Sequence, residues 1–119
     1  MNLLTQEQKN IIVSTFYHVH EAIRKQNWNE LYTAFVSMEC TPDEIMWEIR
    51  DYPGTVTKCT LSEFTDGVLI EEDGFTERGF LCWASVWLDG VRSDLSMEGI
   101  FEFHENSLSH MTLTQVHVF

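Results

Sequence analysis

Residues 78–103 read RGFLCWASVWLDGVRSDLSMEGIFEF, with Asp89-Gly90 near the middle. Alternating apolar and polar runs flank that dipeptide, which is a strong hairpin signal. A two-residue type I′ turn needs positive φ at both central positions, and Gly and Asp tolerate it better than most residues. Counting outward from the turn pairs Leu88 with Val91, Trp87 with Arg92, Ser85 with Asp94, Trp83 with Ser96 and Leu81 with Glu98. Side chains alternate across a strand, so the hairpin has two unlike faces. One carries Phe80, Cys82, Ala84, Val86 and Leu88 opposite Val91, Ser93, Leu95, Met97, Phe101 and Phe103, and is a core face. The other sets Trp83, Ser85 and Trp87 among Arg92, Asp94, Ser96, Glu98 and Glu102. That face must be covered by other elements or offered to a partner.

Upstream the pattern is helical. Thr5-Gln6-Glu7-Gln8 has the form of a capping box, and Ile12, Phe16, Val19 and Ile23 recur at helical spacing to about Arg24. Asn27 or Asn29 is placed to cap a second helix on the stripe Leu31, Ala34, Phe35 and Met38. Thr41-Pro42-Asp43-Glu44 caps a third, which turns Ile45, Met46 and Ile49 inward and stops at Pro53-Gly54. Strands follow: Thr55–Thr60, then an ambiguous Leu61–Gly67, then Val68-Leu69-Ile70 running into a turn at Glu71-Glu72-Asp73-Gly74. After the hairpin, Glu105-Asn106-Ser107 turns the chain into a last strand from Leu108 to Phe119. There Met111, Leu113 and Gln115 alternate with Thr112, Thr114 and Val116, and His117 falls on the Met111 side. The expectation is one α+β domain over residues 1–119. Its N-terminal helices (about 5–52) pack on one face of a curved antiparallel sheet (about 55–119).

Nineteen acids against seven Lys and Arg leave a formal charge of −12. Such a surface repels nucleic acid and anionic membrane and steers towards basic partners. Polar TQEQKN follows the first four residues at once, unlike a secretory leader, and the apolar runs are too short to span a bilayer. Three cysteines without a CxxC pair fit reduced thiols, hence a cytoplasmic protein.

No motif demands a metal, a cofactor or catalysis. His18 and His20 project about 200° apart around a helix, so they do not share an ion, and His104, His110 and His117 have no ligand spacing. Tyr17, Tyr32 and Asp94 are the residues an acid–base enzyme would use, but nothing in their spacing requires it. Nucleophile elbow, phosphate loop and dinucleotide fingerprint are all missing. A binding protein without catalysis is therefore expected.

The order of helices and strands resembles the NTF2-like, or cystatin-like, architecture, in which N-terminal helices lie across a strongly bent sheet. Val86-Trp87-Leu88, Gly90, Arg92-Ser93-Asp94-Leu95-Ser96-Met97-Glu98 and Val116-His117-Val118-Phe119 resemble a family of small bacterial proteins of unassigned activity. That family carries Asp-Leu-Trp, then Gly-Arg-Ser-Asp-Leu-Thr, and a Leu-His-Val-Leu tail. Here Leu and Trp come in the opposite order, and Val91 separates Gly90 from Arg92. In size, charge and expected fold the chain is also similar to immunity proteins of toxin–immunity pairs, including contact-dependent inhibition systems. That likeness implies a cognate toxin, such as a basic nuclease, whose active site is occluded. The partner-binding residues expected are Trp83, Trp87, Asp94 and Glu98, with Glu71, Glu72 and Asp73 as a second acidic patch. The alternative is a small-ligand or enzymatic domain with its pocket between helices and sheet.

Overall fold

The structure is a computed structural model that describes residues 4–52 and 54–118. The side chains of Glu72 and Asp73 lie outside that description, as do Pro53 in the expected helix stop and Phe119 of the terminal motif. α1 (Gln6–Lys25) starts in the expected capping box: Thr5 Oγ1 accepts from the Gln8 amide at 3.1 Å, and Gln8 accepts from the Thr5 amide at 2.9 Å. It ends where Gln26 turns left-handed at φ 54°. α2 (Pro42–Asp51) begins in the same way on Thr41 and Glu44.

Between these helices the expected second helix does not form. A 3-10 turn, Trp28–Leu31, leads into a short strand, β1 (Val36–Met38), paired in parallel with the C-terminal strand. Thr33 makes the corner, its amide donating to the Val36 carbonyl and its hydroxyl accepting from the Val36 amide. The helical stripe was real in sequence, but pairing with a distant strand overrides local propensity here. Phe35, expected inward, is 58% exposed.

Thr55–Thr60 is not a full strand. It makes one bridge, Val56 to Leu88, with Thr57 and Thr55 exchanging backbone hydrogen bonds with the far end of the hairpin. The ambiguous stretch becomes α3 (Leu61–Thr65), capped by Thr60 and Glu63. β2 (Val68–Thr76) runs through the acidic segment expected as a turn. Its register with β3 (Gly79–Leu88) breaks between Ile70 and Phe75, so the segment kinks within the strand and the chain reverses at Glu77-Arg78. β4 (Val91–His104) and β5 (Ser107–Val118) complete the sheet.

The strand order is β1-β5-β4-β3-β2. β2 to β5 form an antiparallel meander, but the parallel β1 makes the sheet mixed rather than antiparallel. α1 lies on the face bearing Cys82, Ala84, Met97, Phe101, Met111 and Leu113, all buried in one core with Phe16 and Phe64. Phe16 meets Phe101 edge-on at 5.0 Å. Gly99 permits that approach, since a Cβ there would stand 3.3 Å from the Phe16 ring and 2.6 Å from Met111 Cε.

The sheet is strongly curled away from α1. Arg78, in the β2–β3 turn, reaches Glu39, just past β1, at 3.0 Å, although β1 and β2 are opposite edges. Glu39 follows Val36 and Met38 by alternation onto the side away from α1. On that side Ile100 and Thr112 face each other across β4 and β5 and are only 7% exposed, with Ile100 outside the helix-side core. The face without α1 is thus a trough strapped at one end by an exposed ion pair.

Candidate functional site in the sheet trough

The turn forms as expected, with Asp89 and Gly90 at φ 52° and 82°, and Leu88–Val91 and Trp87–Arg92 pair as counted. Beyond Trp87 the register slips by two residues. Ser85 faces Ser96 and Trp83 faces Glu98, so Ser85 is not opposite Asp94, Trp83 is not opposite Ser96, and Leu81 meets Ile100 instead of Glu98. Ser93 stabilises the slip, its hydroxyl donating to the Val86 carbonyl at 2.6 Å and accepting from the Leu95 amide at 3.2 Å. A slip of an even number keeps each side chain on its face.

Trp83 and Glu98 are therefore direct partners on the trough side. The indole Nε1 donates to Glu98 Oε2 at 3.0 Å. Glu98 Oε1 accepts from the Thr114 hydroxyl at 2.7 Å and from Gln115 Nε2 at 3.3 Å. Thr114 is the extra residue of a β-bulge, where Glu98 pairs with Gln115 but Gly99 with Leu113. That bulge reverses the alternation of β5: Val116 joins the core, and His117 moves to the trough side opposite Ser96. The expectation that His117 shares a face with Met111 and Leu113 fails for this reason. His117 instead meets Glu48 of α2 at 3.2 Å.

Beside Trp83 lies a recess of about 430 Å³, lined by Gly67, Leu69, Glu71, Trp83, Ser85 and Ser96. Small residues on β3 and β4 leave the space, Leu69 (52% exposed) and the indole give it apolar walls, and Glu71 stands at its outer strand. Arg92 reaches over the neighbouring end: a Cβ on Gly67 would meet its Cδ at 2.9 Å and Ser85 Cβ at 3.2 Å.

Trp87 and Asp94, expected with Trp83 on one surface, do not join it. Trp87 is half-buried against the helix-side core, with its indole Nε1 buried and, among the described residues, without a hydrogen-bond partner. Its backbone amide donates to Nε2 of His20 at 3.1 Å, and the Thr57 amide bonds its carbonyl. Asp94 is exposed in the slipped segment, with its amide held by the Tyr52 hydroxyl at 3.3 Å. Of the second patch, Glu71 is exposed at the recess, while the side chains of Glu72 and Asp73 lie outside the described residues.

His20 was invisible to pattern reading as anything but a helix residue. It is 1% exposed, and its Nδ1 faces Glu21 at 3.3 Å. Because Nε2 accepts from Trp87, its partners assign the proton to Nδ1. Burial holds the imidazole below its usual range, against the pull of Glu21, while Arg24 adds to the lowering. Burial works to raise the Glu21 carboxyl, but hydrogen bonds from Arg24 and His20 with their charges hold it below its ordinary value. The group clamps α1 to the slip in β3.

The remaining candidates are dispersed. His18 is exposed near Glu30, and Tyr17 donates to the Cys59 carbonyl at 2.7 Å. Tyr32 is on the surface. Among the described residues no three of His, Cys, Asp and Glu gather as metal ligands would. Cys40, Cys59 and Cys82 are free and buried, and burial pushes their thiols up to about 11, 11 and 12 respectively. Among the described residues no helix is long and apolar enough to cross a membrane.

No protein-family model, curated protein or solved structure matches this chain. The site stands on its own geometry.

Proposed function

We propose that this chain is a binding protein of NTF2-like type that neutralises a basic partner: an immunity protein occluding the active site of a cognate toxin, a basic nuclease for preference. The observation that carries the reading is the trough on the side away from α1, where a half-buried tryptophan fixed by a glutamate borders an open recess. It belongs to a chain of formal charge −12. Rigid aromatic walls supply affinity, and acids supply approach rate and discrimination. A substrate pocket between helices and sheet is disfavoured because Phe16, Phe101 and Met111 fill that space around Gly99. Localisation in the cytoplasm and the absence of catalysis are parts of the same proposal.

The test is co-expression with any toxin domain found encoded beside the gene, together with stopped-flow association of the purified pair. Glu71→Lys and Asp94→Lys alter exposed side chains, so the fold survives. Each should slow association severalfold at low salt and flatten its salt dependence. Absence of growth protection by the unaltered chain refutes the immunity reading. Unchanged on-rates in both variants remove these acids from the interface.

A further inference from the structure

We infer that the recess beside Trp83 is a socket for a single arginine side chain of the partner. The inference rests on the basic-partner reading and assigns it a contact chemistry. The recess, of about 430 Å³, has room for one long side chain and is lined by Leu69 and the Trp83 indole. A guanidinium stacks on an indole face and donates in several directions at once. The acceptors needed are present: the Ser85 and Ser96 hydroxyls inside, and the Glu71 carboxylate at the outer strand. The indole does not have to be ordered on binding, because its N–H is already fixed on Glu98, which Thr114 and Gln115 hold in turn. Preorganisation of that kind lowers the entropic cost of capture. The chain's own Arg92 shows the fit on one side, its Cδ lying close over Gly67 at the edge of the same recess. Arg92 is also a competing positive charge there, which makes the sign of the socket testable.

The probes are acetylated Gly-Arg-Gly amide and its norleucine and glutamate counterparts, titrated against the intact ¹⁵N-labelled chain. The readout is the indole N–H signal of Trp83, assigned by its loss in Trp83→Phe, with the other three indoles reporting that the fold persists. The arginine peptide should shift the Trp83 signal saturably, and the norleucine peptide should leave it in place. Glu71→Gln should weaken the arginine peptide about threefold, and Arg92→Gln should tighten it by a similar factor, as expected for single partly screened charges. Equal shifts from arginine and norleucine peptides would show an apolar pocket and overturn the socket. Preference for the glutamate peptide, lost in Arg92→Gln, would reverse its sign and overturn it as well. No shift from any peptide also overturns it, but leaves growth protection by the intact chain free to stand. Peptide binding without growth protection would refute the immunity reading and keep the socket.

Discussion

His20 permits a stability test with a defined pH window. Its Nε2 accepts from the Trp87 amide, and the ring is buried against Phe64 at 5.3 Å. The folded imidazole is held below its ordinary range, chiefly by burial. The unfolded chain therefore binds the proton first as pH falls below about 6.5. The stability His20 contributes is fully present above that value and is lost as pH falls towards the folded pKa. The loss is at most about 1.4 kcal/mol per pH unit. Glu21 is held low, so the stability it contributes is lost only below its ordinary carboxylate range, outside this window. His20→Gln keeps an acceptor for the Trp87 amide and cannot titrate. Between pH 6.5 and 5.5 the original chain should lose stability relative to that variant, by at most about 1 kcal/mol or on the order of 4 °C in Tm for a chain of this length. The other carboxylates and the exposed histidines cancel in the comparison. His20→Ala leaves the amide unpaired and a cavity beside Phe64, costing about 2–4 kcal/mol at pH 7.5. Urea melts at a series of pH values measure both effects. Parallel loss of stability in the original chain and His20→Gln across the window would refute the clamp.

Gly79→Ala should cost about 2–4 kcal/mol, because φ is +132° and a Cβ would lie 2.4 Å from the Phe101 carbonyl oxygen. Gly90→Ala, at φ +82° with nothing within 4 Å, should cost only about 1 kcal/mol; chemical denaturation distinguishes the two. Trp87→Phe should change stability by less than about 1 kcal/mol, since the lost apolar area is offset by removing a buried N–H without a partner. In the folded protein at pH 8, Cys40, Cys59 and Cys82 should resist a thiol-specific chromogenic reagent, and all three should react at once in denaturant.

What could be read from the residues was what local chemistry decides. The Thr5 and Thr41 capping boxes and the Asp89-Gly90 turn formed as written, because each is satisfied within a few residues. Thr60-x-x-Glu63 carried the same signal for α3 and passed unread within an ambiguous stretch. What could not be read was decided at a distance. Val36–Met38 becomes a strand only because β5 lies alongside, and the slip stabilised by Ser93 has no signature in the alternation, which continues unbroken through it. That slip also explains the partial reading of the site. Trp83 and Glu98 stayed on one face and became direct partners, whereas Trp87 and Asp94 sit at or within the slip and went elsewhere.

The parallel pairing of Val36 with Met111 sets an order of events. A ribosome releases β1 long before β5 exists, so the first strand waits, its backbone groups solvated, while α2, α3 and β2 to β4 are made. Pairing of β1 is thus postponed until β5 has emerged. Stalled nascent chains that still hide β5 should remain open to protease around Phe35, and completion of the last strand should close that site in one step.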